Sequence, residues 1–165
     1  MTTLTHPAEV RPTPIRRLCR GDAGTATDFV AALDDETRRT RFDRFMTPAM
    51  VRAHYDALDW DAAVLAAWVT DGALRGLAEA LLYRTPAGLE AEIALCVAPG
   101  WTGHGISDAL VAYAADEAAR RGAWRSVTVL ACGDHEHAGA ARRLGARLDA
   151  RHGLAVLLHA SNRST

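Results

Sequence analysis

Gly103 and Gly105 are the residues of this chain best suited to chemistry on an anion. They lie in the stretch Glu92-Ile93-Ala94-Leu95-Cys96-Val97-Ala98-Pro99-Gly100-Trp101-Thr102-Gly103-His104-Gly105-Ile106. The stretch reads as a buried strand, a Pro/Gly break, a glycine loop and a helix beginning at Ile106. Such a loop turns backbone N–H groups outward at the positive end of a helix, which suits a phosphate or pyrophosphate. Glycine lets the backbone approach an anion without a Cβ in the way. The following helix, Ile106 to Arg121, carries Ile106, Ala109, Leu110, Tyr113 and Ala114 on one face, and Gly122 ends it.

Other phosphate loops fit less well. A Walker loop needs four residues between its glycines and then Lys-Ser/Thr, and neither is present. A dinucleotide fingerprint needs a third glycine where Asp108 stands, and it belongs early in a βαβ unit. An ordinary glycine-rich connection stays open on the loop alone.

Glu92 is the candidate acid–base group. Two-residue alternation places Glu90, Glu92, Ala94 and Cys96 on one face of a strand. Glu92 opens the apolar run Ile93 to Ala98. Beside apolar walls a carboxylate becomes a better base, because burial disfavours its charge. Periodicity alone favours a solvated charge at a strand end instead. His135-Glu136-His137 invites a metal reading, but residues two apart on a helix point in different directions, and no metal site is expected. Cys132, at a strand end, reads as a buried inert thiol rather than a nucleophile.

The elements that must hold these groups follow from local signals. Ile15 to Cys19 reads as a short strand and Arg20-Gly21-Asp22 as a turn. Ala23 to Leu33 and the basic stretch Thr37 to Phe45 read as helices. Thr47-Pro48 starts a third, with threonine as cap and proline in the first turn. Asp61 to Val69 and Leu74 to Tyr83 flank the hairpin pair Asp71-Gly72. Leu89 to Ala98 is the central strand, after a turn at Pro86-Ala87-Gly88. Trp124 to Ala131 is a further strand, Asp134 to Leu144 a helix ending at Gly145, and Leu148 to His159 one or two closing strands broken near Gly153. The order predicts a mixed α+β fold rather than an alternating parallel one.

The chain has 165 residues, enough for one domain with a real core, expected over 15–160 between a loose leader, 1–14, and a tail, 161–165. Formal net charge is -1, which suggests neither a nucleic-acid partner nor an anionic membrane. There is no lysine, which argues against self-acylation on lysine. Three cysteines, far apart, support neither a zinc site nor a disulfide framework. No apolar signal core or bilayer-length run is present, so a cytoplasmic location is the default expectation.

Several motifs together resemble a known family. Val97-Ala98-Pro99, Gly103-His104-Gly105-Ile106 and Leu110 look like the strand–loop–helix signature of the GNAT acetyltransferases. Ala91-Glu92-Ile93-Ala94 resembles the Ala-Glu-hydrophobic-Ala pattern of the bacterial protein lysine acetyltransferases of that class. Leu33 and Glu36-Thr37-Arg38-Arg39-Thr40-Arg41-Phe42 resemble their first helical segment. Asp134-His135 and Leu144-Gly145 are similar to a second signature. The chain departs from the pattern at Thr102, usually Gln or Arg, at Asp134, commonly Asn, and at Ala146, usually aromatic. The tyrosine that protonates the leaving thiolate in many members would fall near Ala141 and is missing.

The resemblance covers nearly the whole chain. It implies a GNAT fold with a mostly antiparallel sheet flanked by helices, and acetyl-CoA as acyl donor. Donor contacts are implied from the main chain of Leu95, Cys96 and Val97, from Thr102, Gly103, His104, Gly105, Ile106 and Ser107, and from Asp134. It implies an amine acceptor, a protein lysine or a small molecule, and leaves room for a homodimer. Glu92 would be the general base, and one strand N–H the oxyanion donor. A base is needed because a lysine amine has a pKa near 10.4, so making it neutral at pH 7 costs about 4.6 kcal/mol. A non-catalytic acyl-CoA-binding module remains an alternative. Arg142, Arg143 and Arg147 read either as solvated charges or as partners for phosphates. Arg38 to Arg44 reads either as a flank of the acceptor groove or as a solvated face.

Overall fold

The computed structural model describes residues 14–129, 135–149 and 151–159. β1 (Ile15–Leu18) stops where the Asp22 carboxylate accepts the Cys19 N–H, at 2.9 Å, and a single 3-10 turn follows. α1 (Ala23–Ala31) ends two residues before the expected Leu33. The Arg38 guanidinium explains the break: it donates to the carbonyls of Ala31, Leu33 and Met46, so the link is held by a side chain instead of by helix. α2 (Asp35–Phe42) starts earlier than its charge pattern suggests, because Asp34 caps it by accepting the Thr37 N–H at 2.8 Å. It ends at Asp43, which turns left-handed. α3 (Pro48–Ala57) has the expected Thr47 cap, whose hydroxyl accepts the Met50 N–H, and proline in its first turn.

β2 (Ala63–Thr70) and β3 (Ala73–Thr85) form the expected hairpin. Asp71 and Gly72 both have positive φ, 51° and 74°, as the turn that matches strand twist requires. β4 (Gly88–Val97) continues the meander, and α4 (Ile106–Arg120) follows the glycine loop. β5 (Arg125–Val129), α5 (His135–Arg143), β6 (Arg147–Asp149) and β7 (Leu154–Leu158) complete the order. Among the described residues seven strands make one sheet in the order β1-β2-β3-β4-β5-β7-β6, antiparallel except between β4 and β5. This is the mixed α+β arrangement that the element order predicts, with the mostly antiparallel sheet that the resemblance implies.

Alternation sorts the sheet between two cores. Val64, Ala66, Ala78, Ala80, Ile93 and Leu95 pack under Ile106, Leu110 and Ala114 of α4. Leu65, Ala67, Leu77 and Cys96 face Val30, Val51 and Tyr55 of α1 and α3. The small residues let α4 come close to the sheet. A Cβ on Gly76 would lie 2.8 Å from Ile106 Cγ2 and 2.9 Å from Leu110 Cδ1, so that position admits no side chain without repacking. No helix among the described residues is long and apolar enough to cross a membrane.

Candidate active site

β4 and β5 pair only over Glu90–Glu92 and Arg125–Val127. On that edge the Leu89 carbonyl accepts the Trp124 N–H, and the Ile93 carbonyl accepts the Thr128 hydroxyl at 2.6 Å. Thr128 thus satisfies the last β4 carbonyl before the strands part. Backbone direction repeats every two residues, so Leu95 and Val97 aim their N–H and C=O groups the same way. They have no β5 partner among the described residues. Cys96 turns the other way: it pairs with Leu77 on β3, and burial pushes its thiol up to about 12. Of the three residues singled out for main-chain contact, Leu95 and Val97 present theirs to the opening, and Cys96 borders the same cleft with its main chain engaged by β3.

The opening continues into a cleft of about 520 Å³. One wall is Asp34, Glu36, Thr37 and Thr40; the other is Leu95 to Val97, Pro99, Gly100, Thr102 and Ser107. Thr102 and Ser107, which line it, flank the glycine loop. Gly103 and Gly105 have φ of 76° and 75°, and nothing lies within 4 Å of a Cβ added to either. Conformation, not space, therefore calls for glycine at both. Gly105 is the N-cap of α4 and offers no capping side chain to the first turn. Thr102 and His104 are exposed, whereas Ile106 and Ser107 are buried. His104 Nδ1 is 2.9 Å from the Thr102 carbonyl. A carbonyl only accepts, so Nδ1 donates.

Asp108, in the first turn of α4, would oppose an anion at the loop. Arg143 of α5 takes it with two contacts, 2.5 and 2.6 Å, and that hydrogen bonding holds the carboxyl below its usual range. Asp134 lies outside the described residues, as does Cys132. Ala141 is 3% exposed and lines a small cavity with Ile93, Ser126 and Leu144; its methyl group has no proton to donate.

A second cavity, about 180 Å³, opens on the α1/α3 side of the sheet beside this cleft. Glu92 lines it from β4, directly opposite Leu81 on β3. Glu92 is exposed, which corrects the expectation of a carboxylate against apolar walls. The buried carboxylates are its neighbours. Glu90 is 1% exposed and held by Arg125 at 2.8 Å and Thr85 at 2.9 Å. Glu79, two residues before Leu81, lines the Glu92 cavity at 2% exposure.

Glu79 is the residue that sequence reasoning missed. Arg41 Nη2 lies 3.0 Å from its Oε2, and His54 Nε2 lies 3.2 Å from both carboxylate oxygens. Burial opposes the charge on Glu79, but the Arg41 charge and the His54 contact outweigh it and hold the carboxyl below its ordinary range. A signal was present: Glu79 is the lone charge within the apolar run Leu77 to Leu82. Arg38 and Arg41 are accordingly buried, not part of a solvated basic face.

Known structures share this fold. The crystal structure of the GNAT domain of S. lividans PAT superposes with a TM-score of 0.70 at 21% identity, over 87% of each chain. The structure of yncA, a putative acetyltransferase from Salmonella typhimurium with its cofactor acetyl-CoA, gives 0.66 at 20% identity, over 92% of this chain and 98% of that one. A GNAT superfamily phosphinothricin acetyltransferase from Sinorhizobium meliloti in complex with acetyl-CoA gives 0.66 at 15% identity, over 92% and 90%. No curated protein sequence matches significantly. The family model described as acetyltransferase (GNAT) matches residues 29–146, well over half of the chain. The chain belongs to the GNAT acetyltransferase family.

Proposed function

We propose that the protein transfers an acetyl group from acetyl-CoA to an amine, with Glu92 as general base. The observation that carries this reading is the edge of β4 beyond Glu92, which has no strand partner among the described residues and leads from the Glu92 cavity towards the glycine loop. Acetyl-CoA accompanies two of the structural neighbours, which supports the same donor here.

The residues fit that donor. Leu95 and Val97 would pair with its pantetheine arm as an added strand does, and the Leu95 N–H is the donor for charge developing on the thioester oxygen. Gly103 to Ser107 would meet the pyrophosphate at the positive end of α4, with Thr102 adding a hydroxyl. Arg143 helps by cancelling Asp108. Glu92 would take a proton from the acceptor ammonium, offsetting part of the roughly 4.6 kcal/mol needed to make a lysine-like amine neutral at pH 7. The acceptor class is a protein lysine or a small primary amine, reached through the cavity that Glu92 lines.

One observation favours a non-catalytic acyl-CoA-binding module instead. The buried Ala141, where many family members have a tyrosine, cannot protonate a thiolate. Solvent can do so, since a thiolate is a stable leaving group near neutral pH. Thermal shift with acetyl-CoA, followed by thiol release over a panel of amines and lysine peptides, separates the readings. Stabilisation with turnover supports the transferase, and stabilisation without turnover on any acceptor supports the binding module.

A further inference from the structure

Transfer from a thioester to an ammonium releases a proton. The N–C bond forms, the C–S bond breaks, and its electron pair goes to sulfur. One N–H proton ends on the thiol, and a second must leave the site. If Glu92 takes that second proton, it must lose it again in every cycle while the acceptor fills the cavity and covers the carboxylate.

His54 is built for that exit. Its Nε2 faces both oxygens of Glu79, which can only accept, so Nε2 carries a proton and Nδ1 holds the lone pair of the neutral ring. Nδ1 makes no hydrogen bond among the described residues. The ring is fixed edge-on against Phe42, at 5.1 Å, and Tyr55, at 4.9 Å. It is 22% exposed. His54 and Leu81 line the Glu92 cavity and also a neighbouring cavity of about 370 Å³ that reaches Asp59. The imidazole therefore borders both the cavity that Glu92 lines and a second opening. A carboxylate on the far nitrogen fixes the tautomer and stabilises the imidazolium that forms. Buried Glu79 and Arg41 are otherwise costly, since an ion pair of this kind does no better for stability than apolar packing.

We propose that His54 is the proton exit of the acceptor cavity: it receives through Nδ1 the proton collected by Glu92 and passes it to solvent, with Glu79 and Arg41 as its positioning residues. The proposal rests on the transferase reading above. The groups that bear on His54 are Glu79 of β3, Arg41 of α2, Asp43 and Arg44 beyond it, Glu92 of β4, Asp59 across the second cavity, and Tyr55 on its own helix.

Two measurements test it. Nitrogen-15 imidazole spectra of the whole protein should show His54 as the Nε2–H tautomer when neutral; the Nδ1–H tautomer would overturn the proposal without any acceptor being needed. Kinetics with acetyl-CoA and N-α-acetyl-lysine amide give the second. His54→Gln should lose at least about tenfold in kcat at pH 7, within the 10²–10⁴-fold range of proton-transfer groups, with KM for acetyl-CoA unchanged. Added imidazole should restore turnover, and so should raising the pH. Unchanged kcat, or a loss indifferent to both imidazole and pH, removes the exit role and leaves Glu92 standing. A Glu92→Gln enzyme with wild-type turnover removes the base assignment separately.

Discussion

Arg41 Nη2 lies 3.0 Å from Glu79 Oε2, with the two side chains 4% and 2% exposed. Neither ion has water to fall back on, so each depends on the other. Glu79→Gln leaves the guanidinium buried and unpaired and should cost about 3–5 kcal/mol at pH 7, read as a lower urea midpoint.

That cost should vanish in acid. The Glu79 carboxyl is held below its ordinary 4.5 in the folded state: burial pushes it up, and Arg41 and His54 push it further down. A depressed carboxyl contributes stability that is complete above the unfolded pKa and lost as pH falls through the folded one. The gap between wild type and Glu79→Gln should close as pH falls below 4.5 and the carboxylate takes up its proton. A gap that persists unchanged into strong acid would mean that shape, not charge, is what the substitution removes.

Gly105 separates conformation from charge at the loop. Gly105→Ala meets no atom within 4 Å but must adopt φ of 75°, costing roughly 1–2 kcal/mol of local strain. Gly105→Asp adds a negative charge where the pyrophosphate is proposed to lie. Calorimetry should show a modest loss of acetyl-CoA affinity for alanine and a far larger one for aspartate in a folded protein. Equal affinities would place the donor elsewhere.

Thr102 is exposed at the same loop, so a longer cation there has room. Thr102→Arg should keep or strengthen donor binding, by roughly 1.5–3 kcal/mol at best for a charge-assisted contact. Clear weakening in a folded variant would show that the phosphates do not pass this residue.

Elements announced by local chemistry were legible in the sequence. Thr47-Pro48 caps a helix with its own hydroxyl, and Asp71-Gly72 turns a hairpin by its own backbone preference. The loop and its helix were legible for the same reason. The Glu79 cluster was not, because its partners come from two helices that precede it, with His54 25 residues away. Alternation places Glu79 on a face but is silent about what roofs that face. The buried role of Arg38 was not legible either, because the three carbonyls it serves are brought together by tertiary packing. Alternation puts Glu92 on the face that lines the cavity beside Glu79. Its exposure depends on what covers the sheet there, which periodicity does not report.

The most direct measurement of the proposed chemistry is kcat for Glu92→Gln against pH. Glutamine keeps the shape and removes the proton acceptor, and Glu92 is exposed, so the fold is not at stake. The account predicts a loss of about 10²–10⁴-fold at neutral pH, little change in acetyl-CoA affinity, and a deficit that shrinks as pH rises towards the pKa of the acceptor amine. Near wild-type turnover at neutral pH, or a deficit that stays constant to high pH, would contradict it.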